Sequence, residues 1–500
     1  MITSLRQLVT KSAGVSSHFH VQPHSKYSES LSLKQELTER HLLHQVTDET
    51  VLDLLQTGGQ TVYMGIDPTG NSLHSGHLKP LSYLAHIIRY GNKGVLLLGG
   101  ATARIGDPSG RDSERSVLPE ETIKHNSTDI EQSLRSITHS LGISDRVIFV
   151  NNEDWYNPLS ILDFFSQVGS AMRLSLMLGK NSVKRRMLLP NGLNFQEFSY
   201  QAFQAYDFLQ LYQRYGCTVQ LGGADQWGNI TAGCDLVRKK TGHSVFGLTT
   251  GLLVDSKGNK LGKSMGGHPD TVLWLSSSKT APYTLYQSFL RLDDVTCIEL
   301  VKQLLPISLT EVSLIERDHI ANPSVRVAQK QLASDVIRMV HGNDELRKAE
   351  LATRIAFEDP SHMNEMGEES ISELIHSLPY IILSLQEQIG VLWVDLLVRI
   401  GLASTQENAL SIISKTLKIN GTRINNPNEV FKPHQHLLRG DISIVKIAII
   451  VLPSQEEEKS TKDLEYDSKC ETTVLKGPSK PSSASTLTKR GKGREKKLKK

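Results

Sequence analysis

Two histidines separated by a serine and a glycine, His74-Ser75-Gly76-His77, close a run that begins Gly65-Ile66-Asp67-Pro68-Thr69-Gly70. Small residues between imidazoles let side chains and backbone approach a nucleotide closely, and a helix starting after them would point its N-terminal partial charge at phosphate. About 185 residues downstream, Lys260-Leu261-Gly262-Lys263-Ser264 stands in a glycine-rich polar stretch. Two ammonium groups there could neutralise charge on a transferring phosphoryl group. Each motif alone is weak evidence, since a histidine pair is more often structural and a lysine pair is more often a solvated loop.

The elements that must hold these residues can be read from periodicity. Val62 to Ile66 is strand-like, Leu81 to Arg89 is helical, and Val95 to Gly99 is strand-like again. Strands alternating with helices from about Glu29 to Trp274 predict a parallel sheet with ligands at the strand ends. From about Pro282 to Ser377 the helical period dominates, clearest over Arg326 to Val340. A third unit runs from about Val391 to Leu452, with helices over Leu392 to Ile400 and Gln406 to Ile413 and a turn at Asn420-Gly421 between short strands. Ile442 to Leu452, β-branched and interrupted by Lys446, reads as one buried strand.

Bulk properties narrow the class. A chain of 500 residues exceeds what one core organises, so several domains are expected. No apolar run reaches the roughly 18 residues of a membrane span. Four cysteines without close pairing suggest neither a zinc site nor a disulfide framework. A net charge of +3 does not by itself imply nucleic acid, but the charge is uneven. Met1 to Ser28 contains no Asp or Glu, carries Arg6, Lys11 and Lys26, and sets Ile2, Leu5 and Val9 on one helical side, as a mitochondrial transit segment does. At the other end, Lys489 to Lys500 holds eight Lys or Arg against Glu495 alone, and the chain beyond Pro453 has the composition of a disordered tail.

Taken together, the two nucleotide motifs resemble the signatures of class I aminoacyl-tRNA synthetases. From Glu49 to Leu452 the chain resembles, more narrowly, the bacterial-type tyrosyl-tRNA synthetases in their mitochondrial form. The stretches that carry this are Gly99-Gly100-Ala101-Thr102 with Gly106-Asp107-Pro108-Ser109-Gly110, Phe198 to Leu209, and Gln220 to Gly233. The resemblance implies an α/β fold: a Rossmann-like parallel-sheet catalytic domain over 31–281, a helical anticodon-binding domain over 282–377 and a small α+β S4-like RNA-binding domain over 391–452. These stand between a transit segment, 1–30, and a basic tail, 453–500.

It also implies roles. Tyr63 and Asp207 would take the phenolic hydroxyl of tyrosine, Asp107, Tyr200 and Gln204 its ammonium, with Gln220 and Gln226 as further pocket residues. Tyr200, Gln204 and Asp207 fall at i, i+4 and i+7, one helical face, a spacing that fits a buried polar network equally well. For ATP, the resemblance implies Gly65, Asp67, His77, Gly222, Gly223 and Asp225 around the nucleotide and Thr69 and His74 at the γ-phosphate. Arg111, Arg115, Lys260 and Lys263 would be a cationic clamp on pyrophosphate. ATP is thus a substrate, accompanied by Mg2+, and no protein metal site is expected. Pro80, Met64 and Arg111 depart from residues common in the family, which predicts modest changes in affinity.

The implied partners are L-tyrosine, tRNA(Tyr) and a second copy of the chain, in the mitochondrial matrix, without a membrane. Gln406, Glu407 and Asn408 stand where arginines are usual in the RNA-binding helix, so the basic tail is expected to compensate. Arg238, Lys239 and Lys240 are candidates for the acceptor stem or, equally, a solvated helix end. An added RNA-binding or intron-splicing role is one alternative reading. Tryptophan specificity is the other, disfavoured by Tyr63 together with Asp207.

Overall fold

Six short apolar runs build one sheet: Gln45–Val46 (β1), Thr61–Ile66 (β2), Lys93–Leu98 (β3), Val147–Asn151 (β4), Cys217–Gly223 (β5) and Phe246–Thr250 (β6). Their order is β1-β6-β5-β2-β3-β4, and every pairing is parallel except that of β1 with β6. Parallel neighbours need crossovers, and the helix Leu78–Arg89 provides the one between β2 and β3. The period of two is visible in the packing. Val62, Met64, Ile66, Leu96 and Leu98 enter one core, whereas Tyr63, Val95, Leu97 and Cys217 enter another on the opposite face. Both faces are therefore covered, as a parallel sheet requires. The chain reverses direction of growth between β2 and β5, and in open α/β sheets the crevice at such a point receives the ligand.

The described residues are 31–111, 113, 118–256, 258, 261, 272–357, 380–382, 390–399, 403–415, 417–419, 422–424, 426–432, 442–445 and 448–451. The expected transit segment, Arg115, Lys260, Lys263 and the basic tail fall outside them. They divide into two compact units, meeting in sequence at Pro379 and Tyr380.

In the first unit, the helices Pro282–Leu290, Asp294–Leu304, Leu309–Ala321 and Val327–Phe357 occupy 282–357 of the range expected to be helical, whose remainder, 358–377, lies outside the described residues. The last is interrupted at Gly342, whose φ of 86° breaks the helical backbone. Their buried residues, among them Leu285, Cys297, Leu300, Val336 and Ile337, share one core with the sheet and with the helix Leu78–Arg89.

Arg40 ties the N-terminal helix Leu33–Glu39 to this core. Its guanidinium is 1% exposed, donates through Nε to Glu36 Oε1 at 3.0 Å, and donates to the carbonyls of Lys302, Leu305 and Ile307. His86 Nδ1 lies 3.0 Å from Glu36 Oε1, and Tyr90 donates to Glu36 Oε2 at 2.8 Å. Burial opposes charge on Glu36, but His86, Arg40 and Tyr90 more than offset it and hold the carboxyl well below the usual range. Burial, reinforced by Arg40, lowers His86 to about 4, so its contact with Glu36 is that of a neutral ring donating to a carboxylate. Both values are depressed on folding, so both groups stabilise most above about pH 6.5 and lose that contribution as pH falls. Arg40→Met leaves Glu36 without its buried cation. We expect a loss of about 3–5 kcal/mol, read as a lower Tm of the full chain.

The second unit contains the helices Trp393–Arg399 and Gln406–Lys415 and a five-stranded sheet. Its strands are Tyr380–Ile382 (β7), Lys418–Ile419 (β8), Thr422–Arg423 (β9), Ile442–Val445 (β10) and Ala448–Val451 (β11), in the order β7-β11-β10-β8-β9. Trp393 and Phe431 meet edge to face at 5.7 Å in its core. β8 and β9 pair antiparallel on either side of Asn420-Gly421. The run expected as one strand over Ile442 to Leu452 is instead two, β10 and β11, paired antiparallel. Lys446 and Ile447, which stand between them in sequence, lie outside the described residues.

Candidate active site

β2 ends at Ile66, and the chain then loops through Asp67 to Asn71 before the short 3-10 turn Ser75–His77 leads into the helix Leu78–Arg89. Both histidines are built into this entry. His74 Nδ1 accepts from Gly76 N at 3.1 Å, and His77 Nδ1 lies 3.1 Å from His74 N. A backbone N–H can only donate, so His74 Nδ1 is unprotonated and that neutral ring carries its proton on Nε2. His77 Nδ1 also lies 3.2 Å from His74 O, a contact in which the ring nitrogen is the donor, so these two contacts leave both tautomers of His77 open. The rings lie 4.0 Å apart and both line one cavity of about 550 Å³. His77 keeps some exposure on that side, but the protein around it removes enough water to lower its pKa to about 3, with His74 adding to the effect. It is a neutral donor throughout the physiological range.

The segments flanking the lysine motif are sewn to this entry. Ser75 N donates to Leu273 O at 3.0 Å, Leu275 N donates to Leu73 O at 2.8 Å, and Ser75 Oγ donates to Leu261 O at 3.5 Å. Leu261 and Leu273 thus stand beside His74, although Lys260 and Lys263 lie outside the described residues.

The cavity's other end is polar and buried. Asn194 caps the helix Phe195–Tyr215, which carries Tyr200, Gln204 and Asp207 to the cavity wall. Asp207 accepts from Trp155 Nε1 at 2.9 Å through Oδ1 and from Asn152 Nδ2 at 3.2 Å through Oδ2. Burial, set against these donors and Tyr156, raises its pKa to about 7. Tyr63, on β2, is 1% exposed, lines the cavity and has no hydrogen-bond partner for its hydroxyl. Burial, and next the charge of Asp207, push that hydroxyl well above its ordinary pKa. Gln220, on β5, also lines the cavity and leaves its Oε1 unpartnered.

Between the two ends runs a chain of hydrogen bonds. Tyr200 OH donates to Asp67 Oδ2 at 2.7 Å and Thr102 Oγ1 donates to Asp67 Oδ1 at 2.8 Å. Asp107 accepts from Ser109 N at 2.9 Å and from Gln226 Nε2 at 2.7 Å. Thr69 and Arg111 line the cavity, and Arg186, in a buried pair with Glu197, donates through Nη1 to Ser113 O at 3.4 Å.

Glycines leave the remaining space. Gly65 would meet only Leu97 Cδ2, at 3.9 Å, if it carried a Cβ, whereas at Gly223 a Cβ would stand 2.6 Å from Asp225 Oδ1. At Gly99 a Cβ would overlap Asp67 Oδ1 and Thr102 Oγ1. We expect Gly99→Ala to displace Asp67 at about 1–3 kcal/mol, measurable as a lower Tm together with reduced activity.

This geometry can be compared with known proteins. The family described as class I tRNA synthetases (W and Y) matches residues 56–358. Tyrosine–tRNA ligase 1 of Vibrio parahaemolyticus is 38% identical over 399 residues, 79% of this chain and 92% of that one. The chain belongs to the tyrosyl-tRNA synthetases. Among these synthetases, the mitochondrial tyrosine–tRNA ligase of Drosophila melanogaster is 36% identical, across 82% of this chain and 91% of its own. The crystal structure of a C-terminally truncated Aspergillus nidulans mitochondrial tyrosyl-tRNA synthetase superposes with a TM-score of 0.60 and 31% identity, covering 66% of this chain and 95% of that one.

In this tyrosyl-tRNA synthetase, every site residue expected from the sequence that is among the described residues lines the one cavity. These are Tyr63, Gly65, Asp67, Thr69, His74, His77, Asp107, Arg111, Tyr200, Gln204, Asp207, Gln220, Gly222, Gly223, Asp225 and Gln226. Asn152, Trp155 and Asn229 were given no role from sequence. The first two follow β4 directly, and the concentration of ligand groups at strand carboxyl ends was the signal available for them. Arg238 and Lys239 pair with Asp235, as a solvated helix end would.

Proposed function

We propose that the chain activates tyrosine in this cavity, with Tyr63 and Asp207 at the phenol, His74 at the phosphates and His77 beside the ribose. The observation that carries the reading is the Tyr63 hydroxyl, buried and unpartnered beside the Asp207 carboxylate. A phenolic oxygen set between them accepts from Tyr63 and donates to Asp207. Phenylalanine would leave the buried Tyr63 hydroxyl unpaired, at about 1–3 kcal/mol, and deprive Asp207 of one donor.

The tyrosine carboxylate attacks the α-phosphorus of ATP, a P–O bond to the carboxylate forms, and the bond to pyrophosphate breaks. A terminal ribose hydroxyl of the uncharged tRNA then attacks the tyrosyl carbonyl, an ester bond forms, and the acyl–phosphate bond breaks to release AMP. No protein nucleophile is needed; positioning and charge stabilisation carry the step. The Nε2–H of His74 donates to a phosphate oxygen without needing to be charged, and His77 stands beside the ribose. Arg111, with Arg115, Lys260 and Lys263, neutralises the departing pyrophosphate. Asp107, Tyr200 and Gln204 hold the substrate ammonium, and Asp225 the ribose hydroxyls. Among the described residues no group of three His, Cys, Asp or Glu side chains could hold a metal. Mg2+ would accompany ATP, bound to its phosphates.

In this reading 282–377 serves the anticodon side and 391–452 is an S4-like RNA-binding domain. The acid-poor N-terminus and the mitochondrial relatives support the mitochondrial matrix as its place. Homodimerisation is supported by large apolar side chains left in solvent, among them Leu162 at 78%, Leu188 at 87% and Phe195 at 71% exposed. Charging of tRNA(Tyr) with labelled tyrosine by the chain from residue 31 onward tests the whole scheme. Tyrosyl-tRNA formation supports it, and adenylate formation without transfer would remove the RNA half.

A further inference from the structure

Asn229 is the third residue of the helix Trp227–Thr241, is 6% exposed, and takes no part in the scheme above. Its amide nitrogen lies 3.0 Å from Gln204 Oε1, 3.2 Å from Gln226 Oε1, 3.3 Å from Ser109 Oγ and 3.4 Å from Asp107 Oδ1. Two hydrogens are thus shared among four acceptors from three separate parts of the chain. Such a donor decides a question that a glutamine cannot decide alone, namely which end of its amide faces which neighbour.

We propose that Asn229 is a positioning residue that fixes the amide orientations of Gln204 and Gln226 and thereby keeps the ammonium site of the tyrosine pocket composed of acceptors. Gln204 turned the other way would set its NH2 against that of Asn229. Held as it is, its carbonyl oxygen spends one lone pair on Asn229 and keeps the other for a cation. Gln226, with its carbonyl on Asn229, turns its own NH2 to Asp107 Oδ2 at 2.7 Å. The carboxylate is then anchored by a donor and stays available as an anion. Reversed, Gln226 would set oxygen against oxygen there.

The proposal rests on the assignment of Asp107 and Gln204 to the substrate ammonium. The test compares tyrosine with 3-(4-hydroxyphenyl)propionate, which keeps the phenol and the carboxylate but lacks the ammonium. In ATP–pyrophosphate exchange by the full chain, KM for tyrosine and Ki for the analogue are measured in Asn229→Leu, which keeps the volume, and in Asn229→Ser, a smaller change should the first not fold. We expect KM for tyrosine to rise roughly 10- to 100-fold. The analogue's Ki, KM for ATP and kcat should move by less than about threefold, because none of them depends on the ammonium. Equal weakening of tyrosine and analogue, or no weakening of either, overturns the proposal. Gln204→Ala is run beside them. If it leaves the ratio of tyrosine to analogue unchanged, the ammonium assignment itself is wrong. If Gln204→Ala moves that ratio and the Asn229 variants do not, only the role of Asn229 falls.

Discussion

His77→Ala is expected to lower kcat for tyrosine-dependent ATP–pyrophosphate exchange by roughly 10-fold, the size of one hydrogen bond lost to the nucleotide. KM for tyrosine should barely change, because the ring faces the nucleotide end of the cavity rather than the phenol end. The loss is one of donation and not of charge. With its pKa held down to about 3, His77 stays neutral across the working range, so no rate change near pH 6.5 should trace to it. A kcat limb near pH 6.5 that vanishes in His77→Ala would contradict the neutral-donor account.

Asp207→Ala should reduce kcat/KM for tyrosine by about 10- to 150-fold, the equivalent of one hydrogen bond to a charged group at about 1.5–3 kcal/mol. It should also lower stability, since Trp155 Nε1 and Asn152 Nδ2 lose their acceptor. The pH behaviour is a sharper signature. Trp155 and Asn152 donate to the carboxylate and the substrate hydroxyl brings a third donor, so the ionised form is the one that binds. With a pKa near 7 in the free enzyme, kcat/KM for tyrosine should fall as pH drops through about 7, and Asp207→Asn should abolish that limb. For stability the sign is reversed. Folding raises this pKa, so the folded chain holds the extra proton and the Asp207 contribution weakens as pH rises from about 4 to about 7. Glu36 and His86 act in the opposite sense, losing their contribution as pH falls.

The parts of this account visible in the sequence are those with a local cause. Alternating apolar residues fixed β2 and β3 on either side of an amphipathic helix, and the i, i+4, i+7 spacing put Tyr200, Gln204 and Asp207 on one helical face. Asn420-Gly421, where a turn was expected, lies outside the described residues, but the strands on either side of it in sequence are paired. What stayed hidden depends on residues far apart in the chain. Arg40 looks like an ordinary surface arginine until the carbonyls of residues 302–307, more than 260 positions away, close around it. Asp67 and Tyr200 were assigned to different substrates, yet 133 residues apart in sequence they are hydrogen-bonded to each other, which couples the nucleotide end to the ammonium end. Asn152, Trp155 and Asn229 carry no motif chemistry of their own. Their weight comes from the acceptors they meet, and periodicity says nothing about those.

ATP–pyrophosphate exchange on the chain from residue 31 onward, with tyrosine, phenylalanine and tryptophan in parallel, tests the central claim most directly. The account predicts exchange that depends on tyrosine, with phenylalanine and tryptophan far behind. Exchange supported equally by phenylalanine would contradict the pairing of Tyr63 and Asp207 around a phenolic hydroxyl, and exchange with none of the three would contradict catalysis in this cavity.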